Sequence, residues 1–259
     1  MLCGGTVEVL VESLQRASLP LYERLHVSCE AGEDSVLLRH VDREGCVTGK
    51  EVLTVPEASL PDSLGKAVEV ALRTSVTSTV RSGDGLTLVE PIIGMQDLFV
   101  FGGGHVSRFV VRSAAMAGFR VTVVDDRPEY ANAQRFPEAW KTLAVPFDRS
   151  WEHLEVRPSA SIVIVTRGHK FDERVLERAV QTPARYIGMI GSAKKVAMTF
   201  RNLQQQGISE DRLRKVRAPI GLAIGARTAE EIAISITAEL IAVRRGFPGV
   251  AVPMSAPGA

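Results

Sequence analysis

Cysteine is scarce in this chain, net charge is close to nil and long apolar runs are missing, and each shortage removes a class of protein. Three cysteines, Cys3, Cys29 and Cys46, stand in 259 residues, an odd count at spacings that match no zinc pattern. With an N-terminus that lacks a charged head and an apolar core, they point to reduced thiols and a cytoplasmic location. A formal charge of +1 leaves no basic excess for a large nucleic-acid footprint, so no nucleic-acid partner is expected. No stretch approaches the roughly 18 consecutive apolar residues that cross a bilayer, so no membrane span is expected. Five histidines lie scattered without ligand spacing, and no metal site is expected. Neither a G-x-S-x-G nucleophile elbow nor a P-loop occurs, and no internal repeat or low-complexity tract is visible.

What is present is ordinary globular material, 45% hydrophobic and 24% charged, long enough for one large domain or two modest ones. The chain is organised around the apolar run 97–101, the turn Gly102, Gly103, Gly104, and an amphipathic run from His105 to Gly118. That order predicts a buried strand, a turn that only glycine makes, and a helix whose first amides face back toward the turn. Such a helix start has orphan donors and about half a unit of positive charge, and it attracts anions. The spacing fits G-x-G-x-x-G with Ser107 in the third place. A second strand, 120–124, delivers Asp125 about twenty residues later, where a ribose hydroxyl needs an acceptor.

Ahead of this stretch, residues 1–94 suggest a small α+β module. Val7, Val9 and Val11 alternate with Glu8, Leu10 and Glu12 at the period of a half-buried strand. A helix over 20–30, strands over 35–41 and 46–55 around the turn at Asp42-Arg43-Glu44-Gly45, a helix over 60–74 and a strand over 87–93 follow. Cys29 and Cys46 read as packing residues on these elements. From residue 95 to 246 strand and helix alternate, which implies a Rossmann-like, mostly parallel sheet with helices on both faces. Its strands fall at 97–101, 121–125, 143–145, 161–165 and 186–191, and Thr228 with Glu231 makes a capping box for the last long helix. The apolar side of residues 232–243 reads either as core or as the interface of a homodimer. Residues 247–259 read as a mobile tail.

Open parallel sheets bind ligands beyond the carboxyl ends of their strands. Four polar or glycine-rich clusters occupy those ends: Gly102, Gly103, Gly104 and His105; Asp125 with Arg127; Thr166, Arg167, Gly168 and His169; and Gly191 with Ser192. His105 reads as a neutral ring meeting an anion or as a histidine bonded to the helix start. Asp125 reads as a ribose acceptor or a turn aspartate, and Arg127 as a phosphate ligand or the partner of Asp125 or Asp126. The run from Thr166 to Asp172 is a site or a solvated turn. Lys194 and Lys195 read as a solvated helix face, behind a Gly191-Ser192 start suited to a second phosphate.

Several of these runs resemble one family. Phe101-Gly102-Gly103-Gly104-His105-Val106, the stretch from Val123 to Ala131 with Arg135-Phe136-Pro137, Val165 to His169 with Asp172, Tyr186 to Ser192, and Ala218 to Glu239 are similar to the xanthine dehydrogenase accessory factor (XdhC/CoxI) family, almost continuously over 97–246. The start Met1-Leu2-Cys3-Gly4-Gly5 resembles the family's second Cys-Gly-Gly segment more thinly. The family's upstream portion has no counterpart here, and Ala229 stands where proline is common. The resemblance implies a maturation factor that holds the molybdenum cofactor, as molybdopterin or its dinucleotide, while sulfur is placed on molybdenum, and then passes it on. Implied partners are an apo molybdenum hydroxylase and a cysteine desulfurase, with Cys3 as the sulfur-handling residue in place of a solvent-exposed thiol. The alternative is an NAD(P)-dependent oxidoreductase using the same crevice, with His169 moving the proton.

Overall fold

The computed structural model describes residues 9–54, 60–82 and 85–247. The chain divides into two compact units, Met1–Gly94 and Met95–Ala259. Among the described residues no helix is long and apolar enough to cross a membrane.

In the first unit, helix α1 (Leu19–Glu30) precedes strands β1 (Ser35–Val41) and β2 (Val47–Thr54), helix α2 (Asp62–Thr74), and strands β3 (Ser78–Ser82) and β4 (Gly85–Ile92). The strands form one antiparallel sheet in the order β2-β1-β4-β3. Alternation along β1 explains its two coats: Val36 and Leu38 pack with Val68 and Ala71 of α2, while Leu37 packs with Leu25 of α1. The β1–β2 turn is held by Asp42, whose Oδ1 accepts from the amides of Glu44 at 3.0 Å and Cys46 at 2.8 Å.

Three expectations change here. The valine alternation at 7–12 is no strand where it is described: residues 9–15 are irregular, and Val9 and Val11 are 75% and 87% exposed. That segment is held by charge instead, Glu12 meeting Arg39 Nε at 3.0 Å and Lys50 Nζ at 2.8 Å. Cys46 lies exposed ahead of β2 and not in its packing, whereas Cys29 is half-buried. Strand β3, rich in serine and threonine, forms at the sheet edge, where little apolar patterning is needed.

In the second unit, β5 (Gln96–Phe101), α3 (His105–Met116), β6 (Phe119–Asp125), β7 (Lys141–Ala144), α4 (Phe147–Ser150), β8 (Ser161–Ile164), α5 (His169–Ala179), β9 (Tyr186–Met189), α6 (Ala193–Gln205), α7 (Glu210–Leu213) and α8 (Ala229–Arg244) follow in order. The sheet is parallel throughout, in the order β7-β6-β5-β8-β9. Leu98 and Val100 of β5 face α3 and α8, while Phe99 and Phe101 face α5 and α6. The sheet is therefore coated on both faces, as the continuous apolar character of β5 and β8 requires. Within α8, Ala233, Ile236 and Leu240 are buried against α3 and the sheet, so its apolar side is core. The tail from residue 248 lies outside the described residues.

The chain builds outward from β5 through β6 to β7, then returns to β8 and continues to β9. The loops leaving β5 and β8 consequently part in opposite directions, which makes the end of β5 the topological switch point where open parallel sheets take their ligands.

Candidate functional site

The glycine turn sits at this switch point, and its three members do different things. Gly102 has φ +105, and a Cβ there would lie 2.5 Å from the carbonyl oxygen of Val165. A Cβ at Gly103 would lie 1.9 Å from the carbonyl oxygen of Tyr130. At Gly104 it would meet nothing within 4 Å. The first two are therefore demanded by close backbone approach, and the third borders open space. Gly104 is also the N-cap of α3, where no side chain caps the first amides, so the orphan donors of that helix start face the open side. Ser107, fully buried in the third glycine slot, donates to the Gly102 carbonyl at 2.5 Å and ties helix to turn.

Asp125, at the end of β6, is 1% exposed. Its Oδ2 accepts from the Gly103 amide at 2.8 Å and from Arg127 at 3.1 Å, and its Oδ1 from the Arg127 amide at 3.1 Å and Nε at 2.9 Å. Those four bonds fill the acceptor positions of a carboxylate. Burial alone would push this carboxyl up, but the Arg127 guanidinium and the two main-chain amides outweigh it and hold it below the usual range. Of the two readings of Asp125, the ribose acceptor has no free lone pair to work with; the side chain staples the glycine turn. Arg127 is its partner, stacked on the Tyr130 ring with the guanidinium 3.6 Å from the centroid.

Arg135 is a residue that sequence patterning missed. Its Nε donates to the Gly103 carbonyl at 2.9 Å and its Nη2 to the Gly104 carbonyl at 3.4 Å, tying the turn down from outside its own helix. Only its place in the quoted Arg135-Phe136-Pro137 run singled it out, because a bond across 32 positions leaves no local periodicity.

On the β8 side, Thr166 donates through Oγ1 to Asp172 at 2.6 Å and through its amide at 3.2 Å. The other oxygen of Asp172, which is fully buried, accepts from Lys195 Nζ at 2.5 Å. Lys195 is thus not part of a solvated face: its side chain is 18% exposed and pairs a buried carboxylate. Lys194 does lie exposed. Arg167 crosses to Asp126 and stacks on Phe171 with its guanidinium 4.4 Å from the ring centre.

The remaining predicted residues form the rim. His105 is exposed, its ring edge-on to Phe109 at 5.3 Å. Gly168 is the N-cap of α5 and His169 its exposed first residue. Gly191 is half-buried, and Ser192 caps α6 by accepting from the Lys195 amide at 3.3 Å. The clusters after β5, β6 and β8 therefore meet at one place, and Gly191 with Ser192 follows β9, one strand farther out. Cys3 lies outside the described residues. Among the described residues no group of three His, Cys, Asp or Glu could hold a metal ion.

Beneath the rim, Tyr186 donates to the buried Glu239 at 2.5 Å, and the Gly221 amide reaches the same oxygen at 2.9 Å. Burial first, and the Glu239 charge second, push the Tyr186 phenol well above its usual value. The pair pins α8 to β9 and to the loop before it.

Comparison with known proteins gives this geometry a context. The sequence profile of the XdhC Rossmann domain matches residues 98–240. The chain is 34% identical over 169 residues to the uncharacterized protein YqeB of Escherichia coli K12, covering 64% of this chain and 31% of that protein. It is 28% identical over 148 residues to a probable xanthine dehydrogenase subunit of Bacillus subtilis 168, covering 57% and 43%. It is 22% identical over 147 residues to the molybdenum cofactor insertion chaperone PaoD of E. coli K12, covering 57% and 40%. The chain thus spans less than half the length of these curated relatives. A crystal structure from Bacillus halodurans described as a xanthine dehydrogenase shares the fold, with a TM-score of 0.68 at 24% identity over 91% of this chain and 70% of that one.

Proposed function

The chain belongs to the XdhC family, and from that premise we propose that it is a maturation factor for molybdenum hydroxylases. It binds the molybdenum cofactor, shields it while sulfur is placed on molybdenum, and passes it to an apo-enzyme of the xanthine dehydrogenase type. The names of two relatives, one a molybdenum cofactor insertion chaperone and one a probable xanthine dehydrogenase subunit, support this reading.

The single observation that carries it is Gly104. A helix start without a side-chain cap, beside a glycine whose missing Cβ leaves open space, fits the phosphate end of a pterin cofactor. Gly102, Gly103, Asp125, Arg127 and Arg135 keep that turn in shape. Gly104, His105, Thr166, Gly168 and His169 line the approach, Arg167 adds a guanidinium once it leaves Asp126, and Gly191 with Ser192 extends the rim. The bound cofactor contributes the molybdenum that later carries the client's chemistry; this chain's residues hold and screen it. Cys3 handles the incoming sulfur, a cysteine desulfurase supplies it, and the work is done in the cytoplasm, by one copy or by a homodimer.

The filled acceptor positions of Asp125 weigh against an oxidoreductase that uses NAD, whose ribose 2′-hydroxyl needs a free carboxylate; for NADP the titration decides. Titration of the purified chain with isolated molybdenum cofactor, NAD and NADP tests both readings. Retention of the molybdenum cofactor and none of the nicotinamide nucleotides is expected; the reverse pattern would sink the proposal.

A further inference from the structure

At the opposite end of the parallel sheet from the glycine turn lies a cavity of about 620 Å³, walled by the loop between α5 and β9, α7 with the segment after it, and the last turn of α8. Its charge is one-sided. Arg185, Arg212, Arg214, Lys215 and Arg217 line it, and among the described residues no carboxylate does. Arg214 is paired with Glu210 at 2.7 Å. The side chains of the other four make no ion pair with any described residue. Arg217 is fixed in place by its main chain, which adds to the edge of β9 through Arg217 N to Ile187 O at 2.8 Å and Met189 N to Arg217 O at 2.9 Å.

Cations do gather at helix C-termini to offset the dipole, and α5 and α8 both end at this cavity. Two helix ends supply about one negative charge together, against four unpaired cations. The excess is about three positive charges in a concave site, within the roughly 300–1,000 Å³ typical of small-molecule pockets. The one aromatic residue in the wall, Tyr186, is buried, with its hydroxyl spent on Glu239, so nothing offers a stacking face to a nucleobase.

We propose that this cavity is a second ligand site, independent of the cofactor crevice, that takes a compact polyphosphate: pyrophosphate, tripolyphosphate, or the polyphosphate end of a nucleotide read without its base. Guanidinium groups on separate elements can each close bidentate bonds to a phosphoryl group, and a group with several charges engages more than one at a time. An acidic protein segment shares the charge but needs an open groove more than a pocket of this size.

Isothermal titration of the full chain with pyrophosphate and tripolyphosphate at low salt tests this. In the Gly104→Val chain, whose turn is closed to phosphate, one equivalent should bind, more weakly as salt rises. In the same background the double variant Arg212→Gln/Lys215→Gln should lower affinity about a hundredfold or more, since each lost charge-assisted bond is about tenfold or more, and Lys194→Gln should leave it unchanged. Both altered side chains are exposed, so thermal melting should not move. The Gly104→Val chain should bind a nucleoside triphosphate no more tightly than tripolyphosphate. No heat with either polyphosphate at millimolar concentration, undiminished binding in the double variant, or displacement by an equal concentration of oligoglutamate would each overturn the proposal. Loss of the cofactor crevice alone would leave it standing.

Discussion

Arg167 reaches across the end of β5 to Asp126 and closes two hydrogen bonds, of 2.5 and 2.8 Å. Asp126 follows β6 and Arg167 follows β8, the two neighbours of β5, so the pair straddles the strand whose end carries the glycine turn. It is a part-exposed pair, worth about 0–1 kcal/mol to the fold. Its consequence is for the proposed cofactor site: there, a phosphate arriving at the turn would compete with Asp126 for the guanidinium.

Asp126→Asn removes that competitor while leaving Arg167 in place. Retention of isolated molybdenum cofactor should tighten several-fold, and Arg167→Gln should weaken it by about tenfold, the loss of one charge-assisted contact. Melting temperatures should stay within a degree or two of the parent. Equal retention in both variants would mean that Arg167 never meets the ligand.

Asp125 should govern acid stability in this unit. Its folded-state value lies below the unfolded one of about 3.9. A depressed carboxyl contributes stability that is present above the unfolded value and is lost as pH falls through the folded one. Urea midpoints should therefore drop steeply below about pH 4. Asp125→Asn should lower stability at neutral pH by about 3 kcal/mol, since it removes the buried charge that Arg127 and the Gly103 amide bond to and leaves Arg127 only Asp126 at 3.8 Å, and should flatten the acid limb. An unaltered acid limb in the variant would move the effect to other carboxylates.

Asp172 and Lys195 offer a double-mutant cycle. Lys195→Met leaves a fully buried carboxylate facing only Thr166 and should cost about 3 kcal/mol. Adding Asp172→Asn removes the stranded charge, so the double variant should recover at least half of that loss. Additive losses in denaturant unfolding would show that the two side chains do not act as a pair.

These pairings also mark where the sequence stopped being readable. The sheet of the second unit is legible because β5 and β8 are continuous apolar runs, and α8 because Thr228 and Glu231 sit three apart in a capping box that forms as spaced. The convergence of the strand-end clusters followed from topology alone. Arg135 on Gly103, Lys195 on Asp172 and Glu239 on Tyr186 join residues 32, 23 and 53 positions apart, and no window of local periodicity contains both ends. The described part of the valine alternation, residues 9–12, teaches the converse: alternation signals a strand only where a neighbour can bury one side, and here Glu12 anchors the segment by charge.

The three glycines of the turn separate folding from binding. Gly102→Ala forces a positive φ on a residue with a Cβ and drives it against the Val165 carbonyl, and Gly103→Ala meets the Tyr130 carbonyl more closely still. Both obstacles are backbone, which cannot rotate away, so each change should cost about 2–3 kcal/mol or more and shift the melting temperature clearly downward. Gly104→Ala has ordinary φ of −70 and no neighbour within 4 Å. It should melt as the parent does, yet place a methyl group beside the first amides of α3 and weaken cofactor retention; Gly104→Val should abolish it with an unchanged circular dichroism spectrum. A stable Gly104→Val chain that still holds the cofactor would mean the ligand does not touch this turn, and the open space beside Gly104 would then have no part in binding.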